Sequence, residues 1–384
     1  MTVRQKPVGE QVVVITGASS GIGLATARLF AARGVKGLVL VARNEDALRK
    51  IAEELEEQGV HAVPVAADAS KREELEAVSR KAIETFGGYD TWVNDAAVAL
   101  YGTLDEIPIP DQRQLFEVNY WGVVYGSLIA ARHLRARGGT IVNVGSVLSE
   151  RAILLQTQYS AAKHAVKGFT DGLRMELEQE GAPIWVTLIK PSSIDTPYVE
   201  HARNYLGDNA KVPPPAYDPD LVAKAIVFAS ENRRRELTIG FGGWVIGAMG
   251  KVAPRLTDKT MEMMGYGAQT TRQPERAGMR DNLYQPREDG DTHSSLDTMT
   301  RKTSVLLAAQ IHPLATAAIL AGVGAAVAAL LLPIGASSAP RRRQPLRRFQ
   351  PVVRKNGNGH DKRSYGPGHL AGRDASVRPP QVRH

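Results

Sequence analysis

The chain has 384 residues, 43% of them hydrophobic, enough for one large domain with further material left over. It has no cysteine, which excludes disulfides, thiolate metal sites and a cysteine nucleophile. Of the net charge of +8, residues 336–384 carry +10 and the rest −2, so the body of the protein is not basic and nucleic-acid binding by it is not expected.

The first residues, Met1 to Pro7, lack the apolar stretch of a signal peptide, so a cytoplasmic catalytic domain is expected. An apolar strand, Val13-Val14-Ile15-Thr16, then runs into Gly17-Ala18-Ser19-Ser20-Gly21-Ile22-Gly23 and opens into a helix bearing Leu24, Ala27 and Phe30. Such a turn lets backbone N–H groups approach a pyrophosphate at the positive end of a helix dipole. Gly17, Ser19, Ser20, Gly21, Ile22 and Gly23 are therefore candidate cofactor contacts. Alone, a glycine-rich turn is weak evidence, and its Gly-x-x-x-Gly-x-Gly spacing is not the common dinucleotide fingerprint.

Strand-length apolar runs recur at 11–16, 37–42, 61–66, 90–94, 139–145, 184–190 and 237–241, separated by segments of helical periodicity. This alternation predicts an α/β domain over residues 1–250, a doubly wound, Rossmann-type parallel sheet of about seven strands. Ligands of such sheets bind beyond the carboxyl ends of the strands. Strand two ends at Arg43, where an arginine favours a cofactor 2′-phosphate and suggests NADP(H) over NAD(H), although a solvated helix-start arginine reads the same way. Asp68, after strand three, could accept from the adenine amino group or cap the helix of Lys71–Phe86. Strand four ends Trp92-Val93-Asn94-Asp95-Ala96-Ala97, with small residues able to pass beneath a cofactor.

Gln112–Arg135 reads as one long helix containing Asn119, either a satisfied core amide or a deliberate polar insertion. Strand five delivers Ser146. Tyr159 follows on a helix through Phe169, Leu173 and Leu177, and Lys163 lies at i+4, so phenol and ammonium share one face. A neighbouring cation should draw the phenol below its ordinary value, and Ser146 could hydrogen-bond the reacting oxygen. His164 points off this face. The nine histidines show no ligand spacing, and no metal is expected.

In this order the residues resemble the short-chain dehydrogenase/reductase family over about 250 residues. Thr16-Gly17-x-x-x-Gly21-x-Gly23 is similar to its cofactor turn, and Asn119, Ser146, Tyr159 and Lys163 fall where it places a catalytic tetrad. Lys190-Pro191 through Thr196-Pro197 resembles the segment that closes over nicotinamide, which adds Pro191, Ile194 and Thr196 to the cofactor set, with Asn94 at the end of strand four. The resemblance implies hydride transfer between NADP(H) and a carbonyl or secondary alcohol, in a protein that is usually a homo-oligomer. Tyr159 would be the acid/base, Ser146 would polarise the carbonyl, Lys163 would hold the nicotinamide ribose, and Asn119 would hold a water. Asp95, Ala97 and Ser192 depart from the family pattern, and the apolar loop after Thr196 leaves the substrate open. A non-catalytic dinucleotide-sensing protein is the competing reading.

Residues 251–303 read as an irregular arm, and 304–335 as an apolar segment. Within that segment Leu314–Leu332 is uncharged and of the length of a membrane span, although a soluble hydrophobic helix fits it too. Twelve basic residues in the 336–384 tail conflict with a simple span from a cytoplasmic domain. An interfacial anchor over 304–348, suited to a lipophilic substrate, would resolve that conflict. Tethering to membrane or nucleic acid is a third reading of this end.

Overall fold

Valine, isoleucine and leucine fill the strand positions that the periodicity assigns. A computed structural model describes residues 5–274, 280–287, 290–296, 298–319 and 321. Strands Val12–Thr16 (β1), Gly37–Ala42 (β2) and Ala62–Ala66 (β3) alternate with helices Gly21–Ala32 (α1), Glu45–Glu57 (α2) and Arg72–Phe86 (α3). Next come Thr91–Asn94 (β4), the short Leu100–Tyr101 (β5), Ile109–Phe116 (α4), Gly122–Leu134 (α5), Gly139–Val144 (β6), Thr157–Gln179 (α6) and Ile184–Pro191 (β7). Tyr198–His201 (α7) leads to Arg203–Asn204 (β8), Asp208–Ala210 (β9) and Ala216–Tyr217 (β10), then to Pro219–Glu231 (α8) and Glu236–Ile239 (β11). The chain continues with Phe241–Val252 (α9), Pro254–Gln269 (α10), Thr270–Pro274 (β12), Thr300–Arg301 (β13) and Val305–Ile311 (α11).

Seven strands form one parallel sheet in the order β11-β7-β6-β4-β1-β2-β3. Val13 and Ile15 of β1 pack with Leu24, Phe30 and Leu48 on one face, while Val12 and Val14 pack with Leu75, Val78 and Leu173 on the other. Both faces are thus covered, which is why these strands carry continuous apolar runs rather than alternation. The strand order reverses between β1 and β4. At that point the loops beyond the carboxyl ends diverge and leave a crevice.

Asn94 sits inside the sheet rather than at the crevice. Its Nδ2 donates to Asn143 Oδ1 at 2.8 Å and Ser127 Oγ at 3.0 Å, and its Oδ1 accepts from Trp92 Nε1 at 2.8 Å. The expected cofactor contact is therefore a buried amide tying β4 to β6 and α5.

The long helix expected over 112–135 is divided. A π-helical turn, Glu117–Trp121, separates α4 from α5 and carries Asn119. The apolar pattern runs on through it, so periodicity alone could not reveal the extra residue; π-turns are frequent at functional sites.

The stretch expected to be irregular after residue 250 holds α10 and β12. The buried positions of α10 are Thr257, Gly265 and Gln269, so it shows no apolar stripe to betray it. Gly265 meets Leu154 closely, and Gln269 donates to Leu154 O at 2.8 Å while accepting from Gln156 Nε2 at 2.7 Å. The start of the apolar segment also belongs to the domain: Leu307 of α11 is buried in the main core, and Gln310 donates to Thr238 O and accepts from Thr238 N. Among the described residues no helix is long and apolar enough to cross a membrane. Most of Leu314–Leu332 and all of the 336–384 tail lie outside the described residues.

Candidate active site

The glycine turn follows β1 because only a residue free of Cβ fits there. Gly17 has φ +77°, and a Cβ on it would fall 2.9 Å from the Ala96 backbone. Gly17, Ser19, Ser20, Gly21 and Ile22 line one cleft at the carboxyl edge of the sheet. Arg43 after β2, Asp68 after β3, Asp95 after β4 and Pro191 and Ile194 after β7 line it too.

Three expected contacts stand back from that surface. Gly23 is pressed against Gly17, Asn94 is the core amide described above, and Thr196 stands against Gly21 with its Cβ 3.3 Å from where a Gly21 Cβ would lie. Asp68 accepts from the Ser70 N–H at 2.9 Å and hydroxyl at 2.7 Å, stabilising the turn just before α3. Arg43 donates to the backbone oxygens of Asn282 and Leu283.

Ser146, Tyr159 and Lys163 converge on the same cleft. Ser146 leaves β6 and caps a short 3-10 turn, accepting from Leu148 N at 3.0 Å, and its hydroxyl faces the same cleft as the Tyr159 phenol. Lys163 is buried, donates to Val144 O at 2.8 Å and lies 5.5 Å from the centroid of the Tyr159 ring. Asn119 is the member set apart. Its Oδ1 accepts from Val98 N at 2.8 Å and its Nδ2 donates to Val98 O at 2.9 Å, so its side chain fixes the loop after β4. Both ends of the amide are engaged there.

The electrostatics also differ from the expectation. Burial pushes the Tyr159 phenol above its ordinary value, with the Asp95 charge adding to the rise and the neighbouring Tyr198 and Ser146 hydroxyls opposing it. The expected lowering by Lys163 does not prevail, because desolvation of the phenolate is the larger effect. Tyr159 is thus held as a neutral phenol, ready to donate a proton. Burial likewise pulls Lys163 down to about 8, against the pull of Asp95. Burial raises Asp95 to about 7, against Lys163 and the Gly23 amide.

Two tyrosines join the site, Tyr198 from the loop after Thr196 that the sequence offers as apolar substrate lining, and Tyr101, which no sequence signal singles out. The ring of Tyr198 packs edge-on to Tyr159 at 5.5 Å, and its hydroxyl donates to Gln156 Oε1 at 3.0 Å. Tyr101 is fully buried at the cleft wall, and its hydroxyl has no hydrogen-bond partner. Both reach the site through loops that only the fold brings together.

Glycine turn, serine, tyrosine and lysine are thus gathered at the switch point of the sheet, and the sequence comparisons agree with that arrangement. The short chain dehydrogenase profile matches residues 11–206. The chain belongs to the short-chain dehydrogenase family. It is 42% identical over 330 residues to the uncharacterized oxidoreductase YxnA of Bacillus subtilis, covering 85% of this chain and 92% of that one. Among solved structures, an alcohol dehydrogenase from Thermococcus sibiricus complexed with 5-hydroxy-NADP is 30% identical, with a TM-score of 0.53 over 60% of this chain and 96% of the other. A short-chain dehydrogenase/reductase from Burkholderia phymatum in complex with NAD is 27% identical, with a TM-score of 0.57 over 67% and 96%. The protein is therefore a nicotinamide-dependent dehydrogenase acting on CH–OH groups, a member of a family whose relatives bind either dinucleotide.

Proposed function

We propose that this dehydrogenase uses NADP(H) in preference to NAD(H), and works as a reductase of carbonyl groups on apolar substrates. The observation that carries this reading is the convergence of the half-buried Tyr159 phenol, Ser146 and the buried Lys163 on one cleft. In the reducing direction Ser146 orients the carbonyl oxygen and Tyr159 gives it a proton as hydride reaches the carbon. The cofactor supplies the hydride. Lys163, anchored on Val144 O, stands behind Tyr159 as the cation of the site. The apolar preference is supported by Leu148, Tyr198, Val212 and Ile246, which line the cleft. Turnover of NADPH by the full chain against graded aliphatic and aromatic ketones tests it; a rate confined to small polar substrates would argue against an apolar pocket.

The cofactor preference rests on Arg43, whose guanidinium stands at the adenosine end of the cleft. Arg43→Ala should weaken NADPH binding by about tenfold or more, the worth of one charge-assisted contact, and leave NADH binding unchanged. Equilibrium titration of both cofactors checks this. Equal losses for the two would mean that Arg43 serves only to hold Asn282 and Leu283.

A further inference from the structure

Beyond the sheet the chain returns across the mouth of the cleft as residues 281–287 and 290–296. Its first part is firmly anchored. Asp281 accepts from Arg203 Nε at 2.9 Å, and Arg203 also donates to Asp111 Oδ2 at 2.9 Å. Tyr284 donates to Asp111 Oδ1 at 2.8 Å. Burial works to raise Asp111, but bonds from Tyr205, Arg203 and Tyr284 outweigh it and hold the carboxyl below its usual value, hence charged. Leu283 is fully buried among Val98, Leu115 and Val118.

The far part is held chiefly through Glu200, with His293 Nε2 lying 3.7 Å from Asp218 Oδ2. The hydroxyls of Ser294 and Ser295 and the Ser295 amide donate to the Glu200 carboxylate at 3.2, 2.8 and 2.8 Å, beside the part-buried Leu296. Between the two ends the segment touches the cleft-lining Asn44 and two residues assigned to the cofactor. Asn44 Nδ2 donates to Arg287 O at 2.7 Å, Arg43 donates to Asn282 O, and the Gly21 N–H donates to Asp291 O at 2.9 Å. Asn282, Pro286 and Arg287 themselves line the cleft.

The Gly21 contact is the informative one. It uses an amide of the turn whose N–H groups a pyrophosphate would take, so segment and anion compete for one donor. A charged phosphate oxygen is the stronger acceptor and would displace the carbonyl. Arg287 is carried on the same segment; its guanidinium donates to the Glu200 backbone oxygen, and its planar shape suits phosphate recognition.

We propose that residues 281–287 and 290–296 form a hinged second wall of the dinucleotide site: Arg287 is a phosphate contact, and the cofactor enters and leaves only when the Glu200 end lifts. The inference rests on the dinucleotide occupying this cleft. The family profile ends at residue 206, so this wall is an addition to the region it matches. The YxnA match, covering 85% of the chain, omits too few residues at either end to exclude the segment, so the relative shares the added length.

Stopped-flow fluorescence of NADPH binding to the full chain tests it. Glu200→Ala should speed association and dissociation together, each by about tenfold, equivalent to about 1.4 kcal/mol of lost hydrogen bonding, while Kd stays within about threefold. Ser294→Ala with Ser295→Ala, made from the other side of the same contact, should act alike if Glu200→Ala folds poorly. Arg287→Gln should raise Kd about tenfold with only a small fall in melting temperature from the lost bond to Glu200 O. Unchanged rates in the loosened variants would mean a fixed wall and overturn the hinge, and unchanged affinity in Arg287→Gln would overturn its phosphate contact. Failure of the unaltered protein to bind NADPH or NADH would overturn the cofactor reading itself, a result distinct from either.

Discussion

Replacing Tyr159 by phenylalanine is expected to lower kcat for ketone reduction by about 10²- to 10⁴-fold while leaving NADPH affinity within about twofold. The ring remains, so its packing against Tyr198 survives and only the proton donor is lost. The Tyr198 hydroxyl is the nearest replacement phenol, but it is bonded to Gln156 and pushed well above its ordinary value by burial, so rescue through it should be small. Tyr198→Phe therefore serves as the companion variant, with a much milder loss. Steady-state kinetics and cofactor titration on both decide the matter. Equal losses in the two would remove Tyr159 from its role as the acid.

Gly23→Ala should be the most damaging single methyl in the cofactor half. A Cβ there would lie 2.1 Å from Gly17 O and 2.7 Å from Gly17 C, and 3.1 Å from Asp95 Oδ2. The obstructing atoms are backbone, so no side chain can swing aside, and either α1 or the turn must shift. Overpacking of this kind costs about 3 kcal/mol, and each 1.4 kcal/mol taken from the binding geometry is tenfold in Kd. The expected result is a lowered melting temperature and at least about a hundredfold loss of NADPH affinity. Gly34→Ala is the control, because Gly34 has φ +69° but no atom within 4 Å of its Cβ position. Its strain of about 1–2 kcal/mol should lower the melting temperature and spare cofactor binding. Normal cofactor affinity in Gly23→Ala would show that the close packing of turn and helix does not shape the anion site.

The sheet was legible because its signals are local and repeated. Each strand of the main sheet begins and ends within about two residues of its apolar run, since a strand covered on both faces must be apolar throughout. Ser146, Tyr159 and Lys163 were legible for a similar reason: a strand end and an i, i+4 pair are fixed by backbone geometry. What the sequence concealed depends on contacts between distant segments. Asn94 and Asn119 look alike as polar residues among apolar neighbours, yet both prove to be structural amides, and only their partners reveal it. The lowering of the Tyr159 pKa by Lys163 followed from adjacency, while the rise that prevails comes from burial by residues scattered along the chain. The helix α10 escaped notice because its inward face is threonine, glycine and glutamine rather than leucine.

The most direct test of the central claim is the fate of a labelled hydride. NADPH carrying deuterium at the transferable nicotinamide position would be incubated with the full chain and an apolar ketone, and the alcohol analysed by mass spectrometry. One deuterium on the carbinol carbon of the product, absent when Tyr159→Phe replaces the unaltered enzyme over the same time, is the predicted result. Alcohol without deuterium, or NADPH bound but left unoxidised across a broad set of carbonyl compounds, would contradict direct hydride transfer at this site.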